Sequence, residues 1–200
     1  MGSAKKKIPR GFWIWLAAAL TVALYVISQS YRDDLRDFLV DDTRFASEIE
    51  TAAERHGLPP QLVRAVVRQE SKFDPDAEGK AGEIGLMQVW GKGAAADWAR
   101  VNQRPVPAQM ELYNVELNLE IGCWYLGKAV KKWKNYRCGI ELALAEYNAG
   151  AKNSARWKPA NPNAPVVERI DFPVTRNYVQ QIMKYYRKYS SEAGGGFKNP

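Results

Sequence analysis

An apolar stripe that ends on an acid constrains this chain more than any other feature. Leu62, Val63, Val66 and Val67 recur at helical spacing, and Glu70 falls four residues beyond Val66 on the same face. The carboxylate is therefore directed inward. Arg64 and Arg68 take the opposite face, which is expected to be solvated, so rotating the helix to release Glu70 would bury cations instead. Glu70 also stands where the helix should stop, near the negative end of its dipole, and both location and burial favour the protonated form. A carboxyl kept protonated in this way is suited to general-acid chemistry. The stretch that follows to Gln88, ESKFDPDAEGKAGEIGLMQ, passes through Gly79, Gly82 and Gly85. That is too many glycines for regular structure and predicts a loop whose backbone lies close to a ligand or to a packed neighbour.

At 200 residues with 46% hydrophobic content, the chain can bury one substantial core and carry an appendage. The formal net charge of +7 gives little support to nucleic-acid binding. Lys5, Lys6, Lys7 and Arg10 supply four of those charges, and the +3 left for residues 31–200 is spread among interleaved acids. Cys123 and Cys138 have neither CxxC nor Cys/His spacing, so no zinc or other metal site is expected, and their placement on a helix and in the following loop argues against a disulfide. His56 is the only histidine and precedes Gly57, where a helix should end, so it reads as a helix-terminal residue rather than a catalytic base.

In chain order, residues 1–10 form a basic N-terminus expected to stay cytoplasmic. Residues 11–30 are an uncharged, mostly apolar run, about 30 Å long as a helix, and predict one transmembrane anchor. A cleaved signal peptide, with Ser28 and Ser30 near the cut, is the competing reading, but the apolar run is longer than a signal core. Residues 31–44 read as a juxtamembrane stalk, 45–190 as one mainly α domain and 191–200 as a flexible tail. Within the domain, helices are expected from Phe45 to His56 (capped from Asp41 to Thr43), Gln61 to Ser71, Trp90 to Arg100, Asn114 to Trp133, Ile140 to Asn148 and Thr175 to Tyr189. Gly122 should let another element approach its helix. No strand series is evident, and Lys158 to Pro173 is expected to be irregular, as a flap would be.

Four segments, taken together, resemble the lysozyme-like catalytic domain of family 1, SLT-type lytic transglycosylases. The first is Glu70, Ser71, Phe73, Ala77, Gly82, Gly85, Leu86, Met87 and Gln88; then come NLEIGCWYL from Asn118, ALAEYNAG from Ala143 and FPVTRNYV from Phe172. The chain departs from the family pattern at Gly79, where a serine is common, and at Val174, where a glutamate commonly precedes TR. Glu83 stands in place of an alanine, and Trp90-Gly91 replaces a proline-containing continuation. The resemblance implies a goose-type lysozyme/SLT fold and a peptidoglycan lytic transglycosylase that needs no cofactor. Its partners would be peptidoglycan glycan strands and the inner membrane, with the catalytic domain facing the periplasm or cell-wall side, and any protein partners would come from an envelope complex.

Glycoside cleavage usually takes two carboxylates. Asp74, Asp76, Glu78 and Glu83 are all expected to be solvated loop acids, which leaves Glu70 alone and requires the substrate to supply the nucleophile. In the mechanism that the resemblance implies, Glu70 protonates the leaving oxygen of the MurNAc-β-1,4-GlcNAc bond and then acts as base. The N-acetyl group stabilises the cation, and the C6 hydroxyl closes 1,6-anhydro-MurNAc. Phe73 and Met87 are expected either to wall the acid or to belong to the core, while Gln88, Tyr147 and Asn148 are expected to bind sugar. Trp98, Trp124, Trp133 and Trp157 could stack on sugars, but buried core is the default for each. The alternatives are a hydrolytic muramidase like goose-type lysozyme, in which a loop acid positions water, and a glycan-binding scaffold that does not cut.

Overall fold

The computed structural model describes Trp15, residues 18–29 and residues 40–194. Contacts divide the chain into two compact units, Met1–Asp41 and Asp42–Pro200. In the first unit, residues 18–29 form helix α1, whose apolar side chains, Leu20, Leu24 and Ile27 among them, are exposed. Among the described residues no helix is long and apolar enough to cross a membrane. The basic cluster from Lys5 to Arg10, part of the expected span and most of the expected stalk lie outside the described residues, as do residues 195–200 of the expected tail.

The second unit is mainly helical. Its elements are α2 (Ala46–His56), α3 (Pro60–Glu70), a ribbon of β1 (Glu83–Ile84) and β2 (Val89–Trp90), a π-helical turn (Gly91–Ala95) and α4 (Ala96–Val101). A 3-10 turn (Gln109–Tyr113) then leads to α5 (Val115–Trp133), α6 (Gly139–Ala149), α7 (Ala151–Trp157), a second 3-10 turn (Val167–Arg169) and α8 (Pro173–Glu192). Helix α6 is the central post and packs on α5, α7 and α8. Its run from Leu142 to Ala145 is apolar and wholly buried, as a helix enclosed on all sides must be. Helix α3 starts with Pro60, which fits the first turn because no helical acceptor is owed to its nitrogen. Leu62, Val63, Val66 and Val67 are fully buried, and α3 packs on α8, which contributes the buried Val179 and Ile182.

Several local expectations are corrected by packing. Helix α2 is entered from Phe45 in a left-handed conformation, φ 64°, without a side-chain cap. Asp42, expected to cap it, instead accepts from Arg64 at 2.8 Å, from Arg68 at 3.2 Å and from the Tyr189 hydroxyl at 3.0 Å. Arg68, expected to be solvated, is only 4% exposed. Its pairing with Asp42 and its position 4.9 Å from the centre of the Tyr185 ring compensate for the lost water. The loop expected between Glu70 and Gln88 contains strand β1, which pairs with β2 just beyond it, Glu83 opposite Trp90 and Ile84 opposite Val89. Helix α7 was not anticipated, and none of residues 158–173 lines the main cavity. Cys123 is buried, Cys138 is half-buried, and both are free.

Gly122 does admit a close neighbour. A Cβ there would lie 2.4 Å from Met87 Sδ, so the glycine allows the Met87 loop to rest directly on α5.

Candidate active site

Glu70 is the last residue of α3, and the chain turns sharply after it. Lys72 and Phe73 adopt left-handed backbone conformations, φ 55° and 65°, as does Gln88 at 47°. Such conformations are uncommon for residues other than glycine and persist where surrounding contacts impose them. Ser71 Oγ donates to the Val67 carbonyl at 3.2 Å and the Leu86 carbonyl at 3.0 Å, which joins the helix end to the far side of the loop. Asn118, buried on α5, secures that side: its Oδ1 accepts from the Met87 N–H at 2.9 Å, and its Nδ2 donates to the carbonyls of Ile84 and Leu112, both at 2.8 Å. Gly85 makes this possible, since a Cβ there would stand 2.5 Å from Asn118 Nδ2.

Against this frame opens a cavity of about 500 Å³. The ribbon side supplies Glu83, Gln88 and Trp90, α5 supplies Tyr125, and the end of α6 supplies Tyr147 and Asn148, with Glu70 among them. Glu70 Oε1 accepts a 2.6 Å hydrogen bond from the Tyr178 hydroxyl of α8. Burial pushes its carboxyl from 4.5 up to about 7; the Tyr178 hydrogen bond acts in the opposite direction, and the negative charge of Glu83 adds to the rise. The acid is therefore part-protonated at neutral pH, the state a group needs in order to give a proton and take it back.

Of the expected site residues, Glu70, Gln88, Tyr147 and Asn148 come together around the cavity. Tyr147 donates to the Met87 carbonyl at 2.8 Å and meets the Tyr125 ring edge-on at 5.7 Å, and Asn148 Oδ1 accepts from Thr175 at 2.8 Å. Phe73 and Met87 do not line the cavity; both are buried in the core. Trp98, Trp133 and Trp157 are also buried, whereas Trp90, left out of the stacking candidates, is 47% exposed at the cavity wall. Glu83, expected to be a solvated loop acid, is half-buried and shares the cavity with Glu70. Tyr178, Asn118, Tyr125 and Trp90 belong to the cavity or its frame and were not among the expected site residues. Three of them lie inside quoted motifs, and position within a motif was the only signal available. Among the described residues no group of three or more His, Cys, Asp or Glu side chains is placed to hold a metal ion.

The Transglycosylase SLT domain family model matches residues 47–168. The membrane-bound lytic murein transglycosylase F of Desulfosudis oleivorans is 29% identical over 171 residues, which cover 72% of this chain and 36% of that protein. The soluble lytic murein transglycosylase of Escherichia coli is 29% identical over 137 residues, covering 66% of this chain and 21% of that one. The chain thus spans about a third or less of the length of these relatives. Among solved structures, an inactive mutant of the lytic transglycosylase Slt from Pseudomonas aeruginosa superposes with a TM-score of 0.67 at 26% identity, over 78% of this chain and 25% of that one.

Proposed function

The chain belongs to the Transglycosylase SLT domain family, and from that premise we propose that it is a peptidoglycan lytic transglycosylase with Glu70 as its acid and base. One observation carries the reading: a carboxyl pushed up to about 7 opens on a cavity that has room for a sugar and sits between aromatic and amide side chains. Relatives with this domain are named lytic murein transglycosylases.

In the proposed reaction, protonated Glu70 gives its proton to the bridging oxygen of the MurNAc-β-1,4-GlcNAc bond as the C1–O bond breaks. The substrate's N-acetyl group stabilises the positive charge at C1. Ionised Glu70 then takes the proton of the C6 hydroxyl while O6 bonds to C1, which closes 1,6-anhydro-MurNAc and restores the acid. No water is consumed. Tyr178, which donates to Glu70 Oε1, holds the carboxyl so that its other oxygen can serve the substrate. Gln88, Tyr147 and Asn148 bind sugar; Phe73 and Met87 act from the core, supplying the apolar backing that keeps Glu70 neutral.

Glu83 favours a second reading, a hydrolytic muramidase, because it is a second carboxylate lining the same cavity. Product masses separate the two, since anhydro ends are one water lighter than hydrolysed ones. Purified sacculi treated with the protein should release only anhydro muropeptides, and release of hydrated ends would reassign it as a hydrolase. We further propose a single-pass anchor in the inner membrane, formed by residues 11–30, with the stalk 31–44 holding the domain 45–190 on the cell-wall side and 191–200 as a tail. Support comes from the exposed apolar side chains of α1 and the basic residues that precede it. Fractionation of cells expressing the full chain tests the anchor: it should remain with membranes after a high-salt wash, and appearance in the soluble fraction would contradict it.

A further inference from the structure

The second carboxylate of the cavity is held in place by the fold. Glu83 Oε2 accepts from the Ala81 N–H at 3.0 Å, and its backbone carbonyl accepts from the Gly79 N–H at 2.7 Å. Gly79 is the reason it fits. A Cβ at position 79 would stand 2.2 Å from Glu83 Oε2 and 2.7 Å from Gln88 Oε1, so a side chain there would force both away. The Gln88 amide is oriented as well, because its Nε2 donates to the carbonyls of Ala77 and Gly85, both at 3.1 Å, which leaves Oε1 turned toward the same corner. A carboxylate oxygen and an amide oxygen therefore lie together over Gly79, and the two residues that carry them both line the cavity that also contains Glu70.

Among the described residues, none of the side chains lining this cavity is a cation. Its remaining walls include the half-exposed indole of Trp90 and the rings of Tyr125 and Tyr147. Sugar hydroxyls can donate to such acceptors one hydrogen at a time, and an acetamido group offers a single N–H. An ammonium group offers three donors and a positive charge, and aromatic faces beside a carboxylate attract it further. We propose that Glu83, with Gln88 Oε1 beside it over Gly79, is a specificity-determining subsite for a free amino group, so that the protein prefers glycan strands in which some 2-amino sugars are not N-acetylated. The inference rests on reading the chain as an enzyme of glycan strands. The sugar whose N-acetyl group assists cleavage keeps it, and the free amine belongs to a neighbouring residue of the strand. The chain's net charge of +7 would repel a cationic strand, so the preference has to come from the local site.

The test is calorimetric titration of the full chain at pH 6 with two oligomers of equal length, fully N-acetylated glucosamine and the free-amine glucosamine oligomer. The wild-type protein should bind the amine form about tenfold more tightly, the ratio expected for hydrogen bonds to a charged partner. Glu83→Gln, which keeps shape and removes charge, should bring that ratio close to one, and Gly79→Ser, which displaces the carboxylate, should lower it too. Equal wild-type affinities, or a preference that survives in Glu83→Gln, would overturn the subsite. A parallel assay on sacculi separates this from the activity: cleavage without the amine preference sinks only the subsite, and the preference without cleavage sinks only the activity.

Discussion

Two glutamates of the domain, Glu70 at the cavity and the buried Glu146, have opposite surroundings. Glu146 is 7% exposed, and its Oε2 accepts from Lys132 Nζ and Trp133 Nε1 at 2.7 Å each and from Ser154 Oγ at 2.9 Å. Those three donors tie α5 and α7 to α6 and make the carboxylate a structural junction. Glu70 has one described donor, Tyr178, no cation, and a like charge nearby, and its carboxyl is pushed up to about 7. Burial alone therefore does not make an acid. What distinguishes the two is whether the fold compensates the buried charge or leaves it uncompensated beside a cavity.

The comparison can be broken at either glutamate. Glu70→Gln should lower cleavage of sacculi by about a thousandfold or more, measured by muropeptide release, while the circular dichroism spectrum is unchanged. Glu146→Ala should act on folding instead. Removing an acceptor shared by three donors costs about 3 kcal/mol in denaturant unfolding, with activity per folded molecule largely kept. A raised carboxyl destabilises the folded state as pH climbs above its unfolded value near 4.5, fully so above about 7. Glu70→Gln should therefore be more stable than wild type by about 2 kcal/mol at pH 8, after discounting for the carboxyl's contact with solvent, and no different below pH 4.5. Tyr178→Phe removes the hydrogen bond that lowers the Glu70 value, so the alkaline fall of the pH-activity profile should move upward by about one unit. Ser154→Ala, which takes one donor of three from Glu146, should cost only about 1 kcal/mol of stability without moving that profile.

The Glu70 side of this contrast was legible in the sequence because helical spacing fixes which residues share a face, and the stripe from Leu62 to Val67 carried the acid inward with it. Gln88, Tyr147 and Asn148 were legible through their motifs. Tyr178 lay inside the FPVTRNYV motif, but its contact with Glu70 spans 108 residues and no local pattern encodes it. Arg68 was misjudged because its compensation comes from Asp42 and Tyr185, far away in the chain. Glu83 was misjudged because a polar, glycine-rich stretch reads as solvated loop, while the ribbon that turns this acid into the cavity depends on pairing with Val89 and Trp90. Gly79, unexplained by the sequence alone, acquires a reason once Glu83 and Gln88 are seen to occupy its side-chain space.

The most direct test of a lone catalytic glutamate is digestion of purified sacculi in heavy-oxygen water, followed by mass spectrometry of the released fragments. Transfer to the sugar's own C6 hydroxyl predicts anhydro ends carrying no label. Hydrated ends with one heavy oxygen incorporated would show that water is the nucleophile, and would contradict the account.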